Sequence, residues 1–265
     1  MAPIQHPIPS LLEDERIDRV NEQLRLIQKK AGLTYGTDAF LLSAFIRPNA
    51  KTKAIELGGG TGIISLLLAA RKKVASVVSV EIQPAFADLI ERNAALNVLQ
   101  SIVHPLCADL RDLRSADIGY EADLVFSNPP YMKCNAGKRN ESDEKYIARH
   151  EVCGSIADFC FCGARLLRFG GKFACVWRPD RLTELLYALH AADLEPKRMT
   201  FVHADAATEP CMVLIEAIKG GAPALQISPP LLLYRPKKEG EQTRELTPQA
   251  QDIYQNCDFS GFFSR

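Results

Sequence analysis

The segment Gly58-Gly59-Gly60-Thr61-Gly62 closes a strand expected over Lys53–Gly58 and precedes an apolar run from Ile63 to Ala70. Glycines this dense suit neither a strand nor a helix interior, because glycine loses the most backbone freedom on ordering. They suit a tight turn in which the chain adopts left-handed conformations or passes close to another group. The pattern reads as strand, turn and helix, the first crossover of an open α/β sheet. That unit implies a Rossmann-like fold: a mostly parallel sheet with helices on both faces.

The glycine spacing narrows the ligand. A dinucleotide-binding turn has glycine at its first, third and sixth positions, and the sixth position counted from Gly58 is Ile63. Here glycines fall at the first, third and fifth positions, with Glu56 two residues before the first. S-Adenosylmethionine has no pyrophosphate that needs a helix N-terminus. It carries an amino-acid end and an adenosine. Gly58 and Gly60 let backbone pass close to such a ligand, and Glu56 is expected to meet its ammonium group directly or through water. About 20 residues on, Val77-Val78-Ser79-Val80-Glu81 ends a second apolar strand in a carboxylate suited to both ribose hydroxyls.

A further buried-strand pattern, Asp123-Leu124-Val125-Phe126-Ser127, runs directly into Asn128-Pro129-Pro130-Tyr131. Consecutive prolines cannot continue a ladder, since each lacks a backbone N–H and fixes φ. Asn128 is pushed toward an extended conformation by the proline after it. The chain is stiffened where it leaves the sheet, with an amide before the turn and an aromatic ring after it. An ordinary strand end would use Asn-Pro but would need neither the second proline nor the ring.

Glycine loop, spaced acid and Asn-Pro-Pro-Tyr in this order resemble the class I methyltransferases that act on planar nitrogen. Within that class, the chain from about Asp14 to Tyr254 resembles the bacterial valine-tRNA adenine-N6-methyltransferases, which modify the adenosine just 3′ of the anticodon. Besides the two motifs, the resemblance is carried by Leu24-Arg25-Leu26-Ile27-Gln28, Tyr35-Gly36-Thr37-Asp38-Ala39-Phe40-Leu41-Leu42 and Ala148-Arg149-His150-Glu151. Arg178-Pro179-Asp180-Arg181-Leu182, Phe201-Val202-His203 and Glu216-Ala217-Ile218-Lys219-Gly220 complete it. Asn-Pro-Pro-Tyr is shared with DNA adenine and protein glutamine methyltransferases, so it bears on chemistry; the flanking segments bear on tRNA.

The resemblance implies methyl transfer from S-adenosylmethionine to the exocyclic N6 of a tRNA adenosine, without a metal. The Asn128 side-chain oxygen and the Pro129 carbonyl would accept the two N–H bonds of the amine, turning its lone pair toward the methyl carbon. Tyr131 would stack on the unstacked base, typically worth about 1–3 kcal/mol. Tyr35, Gly36, Thr37 and Asp38 would form a lid over the methionine end. Glu56, Gly58, Gly60, Glu81, Ile82 and Asn128 would contact the cofactor. Asp109, with Leu110 beside it, would meet the adenine amino group; a helix cap is the alternative for Asp109. Lys133, Lys138, Arg139 and Arg149 would meet tRNA, and Arg149, His150 and Glu151 would lie where that loop rejoins the core. His150 reads sooner as an ordinary surface histidine, and Trp177 as core. Two other functions stay open: a release-factor glutamine methyltransferase, whose helical N-terminal domain is longer than the fifty or so residues before the first core strand here, and a silent cofactor-binding subunit.

At 265 residues and 47% hydrophobic content, the chain can bury a sizeable core. The formal charge of zero argues mildly against a nucleic-acid partner, yet phosphate binding needs only a local basic face. Lys133, Lys138, Arg139, Lys145 and Arg149 form one such cluster, interrupted by Glu141, Asp143 and Glu144; Arg165, Arg168 and Lys172 form another. The eight cysteines include no Cys-x-x-Cys pair, which points to reduced thiols in a cytosolic protein rather than zinc or disulfides. Cys107 and Cys175 read as small buried apolar groups. The proline-containing N-terminus is no signal peptide, and no run reaches membrane-spanning length. The expected organisation is an N-terminal extension over 1–35, a methyltransferase domain over 36–220 and a C-terminal extension over 221–265 packed on it.

Along the chain, Ile17, Val20, Leu24 and Ile27 fit helical spacing, but the resemblance makes Leu24–Gln28 and Leu33–Tyr35 a strand pair, and strands are expected. Asp38 is expected to cap a helix to Phe45. Pro84 opens a helix whose inward stripe is Phe86, Leu89, Ile90 and Ala94. Residues 101–107 should form a strand and 132–149 a charged loop. Ser155 and Asp158 form a capping box before a helix to Arg168, which Gly170-Gly171 ends. Lys172–Trp177 returns as a strand, 179–192 as a helix, and Lys197–His203 with Met212–Ile218 as a closing strand pair. Pro229-Pro230 confines any strand at 227–234 to an edge.

Overall fold

The computed structural model describes residues 10–31, 35–47, 49–130, 154–236, 243–259 and 262. Strands β1 (Glu15–Arg19) and β2 (Arg25–Lys29) form a separate antiparallel ribbon. The main sheet holds β3 (Lys53–Leu57), β4 (Ser76–Glu81), β5 (Val103–Cys107), β6 (Ala122–Ser127), β7 (Leu167–Trp177), β8 (Leu194–His203), β9 (Pro210–Lys219), β10 (Gln226–Ile227) and β11 (Leu231–Leu232). Its order is β10-β8-β9-β7-β6-β3-β4-β5, with β11 also on β8. Strands β5, β4, β3, β6 and β7 run parallel, while β9 is antiparallel to β7 and β8 on either side. This is the expected mostly parallel sheet with a closing antiparallel strand.

The helices are α1 (Thr37–Phe45), α2 (Ile63–Ala70), α3 (Pro84–Leu96), α4 (Ser115–Ile118), α5 (Ile156–Leu166), α6 (Leu182–Ala191) and α7 (Pro248–Asn256). The central strands alternate their apolar side chains between two cores. Ala54, Phe126, Ala174 and Val176 pack with α1, α2 and α3 on one face; Ile55, Val125, Phe173 and Cys175 pack with α5 and α6 on the other. Covering both faces forces the strands to be apolar throughout, which is why they were legible as continuous runs.

The ribbon corrects one expectation. β2 is the anticipated strand at Leu24–Gln28, but its partner is Glu15–Arg19; Leu33 and Thr34 lie outside the described residues, and Tyr35 is in no strand. The helix-like spacing arises from two strands joined at Asn21, whose Oδ1 accepts the backbone N–H groups of Gln23 and Leu24 in an Asx-type turn. The ribbon is fastened to α3 by amides that imitate a neighbouring strand. Asn93 accepts from Ile27 N at 2.6 Å and donates to Ile27 O at 3.0 Å. Asn97, one turn on, does the same at Arg25, at 2.9 and 2.7 Å. Glu15 and Arg92 add a bidentate ion pair with both contacts at 2.7 Å.

Three further expectations are corrected. Helix α1 is capped by Gly36 without a side-chain bond, and Asp38 sits inside the first turn. Helix α5 keeps its Ser155–Asp158 capping box but ends at Leu166, and β7 begins at Leu167. Gly170 at φ 73° and a register shift opposite Ala122–Leu124 carry the strand through the glycine pair as an irregularity instead of a stop. Cys175 is buried as expected, but Cys107 is exposed, because β5 is the sheet edge. The six described cysteines are all free thiols.

Candidate active site

In the ladder, Leu57 pairs with both Val80 and Ser127, so Gly58, Glu81 and Asn128 are the next residues out on three adjacent strands. With strands about 4.8 Å apart, they form a row along the C-terminal edge of the sheet, where open α/β sheets bind their ligands. Ser127 strengthens the row by donating its hydroxyl to Leu57 O at 2.7 Å.

The glycine turn is as tight as its composition suggests. Gly58, Gly60 and Gly62 have φ of 73°, 55° and 80°, which L-residues adopt only with strain. Gly59 is required for space instead: a Cβ there would lie 2.1 Å from Ser79 Oγ and 2.9 Å from Ile90 Cδ1. The turn hangs from β4 through Gly58 N and Gly59 N, which donate to Val80 O at 2.9 and 3.0 Å.

Two carboxylates support this turn. Glu81 accepts from Gly60 N through Oε2 and from Gln83 N through Oε1, both at 2.9 Å. Glu56 lies below, 1% exposed, with Oε2 accepting hydroxyls from Ser65 on α2 and Ser79 on β4. Register explains the second bond, because Glu56 and Ser79 are direct cross-strand partners. Burial pushes the Glu56 carboxyl up to about 7 against the lowering effect of the two serines. Neither serine stood out in the sequence; the signal available was a polar residue inside each apolar run.

Asp109 and Leu110 follow β5. The Asp109 carboxylate is engaged by Arg111, whose backbone N–H and guanidinium both donate to it and hold its pKa below the usual range. Asp109 thus makes local turn contacts and caps no described helix, since the helix that follows, α4, has Arg114 at its N-cap. Leu110 is buried and its carbonyl accepts from Arg165 at 2.8 Å. Ile82, half-buried, follows Glu81 directly.

At the other end of the row, Asn128 Nδ2 donates to Asp38 Oδ2 at 2.7 Å, while Asp38 Oδ1 accepts from Ala39 N at 3.0 Å. Thr37 beside it accepts the Tyr254 hydroxyl at 2.8 Å. Tyr35 packs its ring 6.1 Å from that of Phe40. Pro129 is buried and Pro130 half-buried. Tyr131, Lys133, Lys138, Arg139, Arg149, His150 and Glu151 lie outside the described residues. Of the second basic cluster, Arg165 donates to Leu113 O at 2.7 Å, Arg168 pairs with Asp123 at 2.8 Å and Lys172 faces Glu216 at 3.7 Å. Those three cations are drawn into the protein's own contacts.

Beyond Asn128, over β7 and β9, lies a depression of about 780 Å³ lined by Thr37, Asp38, Trp177, Arg178, Asp180 and Met212, among others. Trp177 is 1% exposed and donates Nε1–H to Arg181 O at 3.1 Å, so it forms wall rather than platform. Arg178 and Asp180 pair at 2.8 Å on the rim. The candidate site is therefore a row of strand ends with a separate hollow at its Asn128 end. No group of metal-binding side chains occurs among the described residues.

A family model, the methyltransferase small domain, matches residues 30–149. A tRNA1(Val) (adenine(37)-N6)-methyltransferase of Porphyromonas gingivalis is 29% identical over 201 residues, covering 74% of this chain and 78% of that protein. The enzyme of the same name from Phocaeicola vulgatus is 28% identical over 73% of this chain and 80% of its own. Among solved structures, a predicted O-methyltransferase of Agrobacterium tumefaciens superposes with a TM-score of 0.63 at 21% identity, over 82% of this chain and 95% of that one. At that identity the structural match speaks for the fold alone.

Proposed function

We propose that this S-adenosylmethionine-dependent methyltransferase methylates the exocyclic N6 of an adenosine in tRNA, next to the anticodon of a valine tRNA. The observation that carries this reading is the Asn128 amide at the end of β6, with its nitrogen donating to Asp38. Anchoring Nδ2 sets the oxygen end of the amide as the acceptor for an incoming N–H. An adenine amine is planar and a poor nucleophile because its lone pair is delocalised into the ring. Asn128 Oδ1 and the Pro129 carbonyl together accept its two N–H bonds and turn the lone pair out of the ring plane. These bonds strengthen as positive charge grows on the nitrogen, so their effect is concentrated in the transition state. The rigid Pro129-Pro130 turn keeps both acceptors positioned without reorganisation.

The residues fit the cofactor. Gly60 is open at positive φ, with nothing within 4 Å of where a Cβ would be. Glu81 ends the neighbouring strand with its carboxylate already at the loop. S-Adenosylmethionine, when bound, supplies the methyl group on a sulfonium sulfur. Glu81, with Ile82 behind it, would hold the ribose, Gly58 and Gly60 would pass under the methionine end, and Tyr35 with Thr37 would cover it. Glu56 would act from beneath, shaping the glycine turn through Ser65 and Ser79, with any ammonium contact relayed through the turn. Asp109 would reach the adenine amino group only by sharing its carboxylate with Arg111. The hollow over β7 and β9 is the place for the target base, and Tyr131 would close it by stacking; Lys133, Lys138, Arg139 and Arg149 would meet phosphates. The tRNA identity comes from the relatives' names.

The test is methylation of unmodified tRNA with labelled cofactor, followed by mass spectrometry of the nucleosides. N6-methyladenosine confined to one tRNA supports the reading. Label appearing instead on a release-factor glutamine, with none in tRNA, overturns it.

A further inference from the structure

The C-terminal segment lies along α1, the helix that carries Asp38 into the site. Its helix α7 is anchored by Thr247, whose hydroxyl caps it at Ala250 N (3.2 Å) and also donates to Leu232 O (2.7 Å), beside β8. From there the Tyr254 ring packs 4.9 Å from Phe40, and its hydroxyl donates to Thr37 Oγ1 at 2.8 Å. Further along, Cys257 Sγ lies 3.5 Å from Ser43 Oγ, and Phe259 packs edge-on against Phe45 at 5.4 Å. The far end of α1 is held from α2's side by the buried Lys73, which donates to the carbonyls of Ser43, Ala44 and Ile46 at 2.8–3.0 Å.

These contacts matter because the first turn of α1 has no side-chain cap of its own. Uncapped first turns fray, since their leading N–H groups have no partner within the helix. That end holds Thr37 and Asp38, which reach from α1 to the Asn128 side of the site. Burial raises the Tyr254 phenol, and the nearby Asp38 charge raises it further, so it stays a protonated donor.

Resting on the N-methyltransferase reading, we propose that Tyr254 is a positioning residue: its hydroxyl, on Thr37, holds the first turn of α1 so that Asp38 keeps the Asn128 amide with its oxygen toward the target amine. The C-terminal segment is thereby part of the catalytic geometry, although it contributes no group to the reaction.

Tyr254→Phe tests this, because it keeps the ring on Phe40 and removes the one hydroxyl. Its melting temperature and affinity for S-adenosylmethionine should match wild type, while kcat falls roughly three- to tenfold with KM for tRNA little changed, the worth of one neutral hydrogen bond. The Asn128 side-chain amide signal in a ¹⁵N NMR spectrum, assigned by its absence in Asn128→Asp, should shift or broaden. Thr37→Val, which removes the acceptor, should shift that same signal, and the double variant should lose no more turnover than the worse single one. An unchanged amide signal in Tyr254→Phe, or a changed signal with full kcat, overturns the proposal. The NMR readout needs no tRNA, so a wild-type protein that leaves tRNA unmethylated would defeat the proposed function while the amide signal still decides the role of Tyr254.

Discussion

Asn128 Nδ2 donates to Asp38 Oδ2 at 2.7 Å, joining the amide at the end of β6 to the first turn of a helix ninety residues earlier in the chain. This bond fixes which end of a symmetric-looking amide points to α1, and on the proposed function it leaves the oxygen end for the target amine. Asn128→Ala should leave cofactor affinity nearly intact and lower turnover by orders of magnitude. Asp38→Ala should lower turnover less, by about tenfold to a hundredfold, the range of a charged hydrogen bond. Calorimetry of cofactor binding beside methyl incorporation checks both. A large loss of binding with normal single-turnover chemistry would move Asn128 out of the role assigned to it.

Glu81→Ala should weaken cofactor binding by about 1.5–3 kcal/mol, as for hydrogen bonds to a charged group, and leave the fold intact. The variant also removes the acceptor for Gly60 N, so the turn should loosen. Glu81→Gln keeps an acceptor for that amide and should lose less affinity. Dissociation constants for S-adenosylmethionine by calorimetry distinguish these; identical values for all three proteins would remove Glu81 from the cofactor site.

Glu56 gives stability a specific pH dependence. Its folded pKa is raised to about 7 from 4.5, so between these values the folded state binds a proton that the unfolded state has released. The contribution is fully present below pH 4.5 and is lost as pH rises through 7, an effect on the order of 3 kcal/mol. Glu56→Gln keeps the shape without the ionisation. Urea unfolding across pH 4.5–8 should show the variant gaining on wild type as pH rises; parallel curves would contradict the buried, serine-held carboxyl.

Glu15 acts in the opposite direction. The Arg92 guanidinium bonded to it lowers its pKa to about 2, so its contribution is present above pH 4.5 and lost as pH falls through 2. Glu15→Gln should destabilise the contact of the β1–β2 ribbon with α3 at neutral pH by about 2–3 kcal/mol and have little further effect at pH 2. Acid titration of wild type and variant by circular dichroism would show whether the two curves converge.

Gly59→Ala should be more damaging than its size suggests. The added Cβ would meet Ser79 Oγ at 2.1 Å and displace the hydroxyl from Glu56. Cofactor affinity should drop together with thermal stability, whereas Gly119→Ala, with nothing within 4 Å of its Cβ but φ of 86°, should cost stability alone. Thermal melts with and without S-adenosylmethionine separate the two effects.

The sheet and the row of strand ends were legible from sequence because both are local. A strand buried on two faces must be an unbroken apolar run, and the residue that ends it sits at the sheet's edge by construction. Gly58, Glu81 and Asn128 are thus each legible in the sequence as strand-end residues, and the register brings them side by side. Other features depended on contacts that no local pattern encodes. Asn21 bends the chain within an apparent helical period, and β2 is fastened by Asn93 and Asn97 of α3, more than sixty residues away. Glu56, an acid expected to face the ligand, turns inward because cross-strand register sets Ser79 opposite it and α2 brings Ser65 above it. Asp38, expected as a cap, lies inside the first turn and also bonds to Asn128, and Tyr254 reaches Thr37 across 217 positions. The chemistry of the site was written in residue types at strand ends; the orientation of its amide was decided only when distant segments packed together, because a hydrogen bond has direction and sequence spacing carries none.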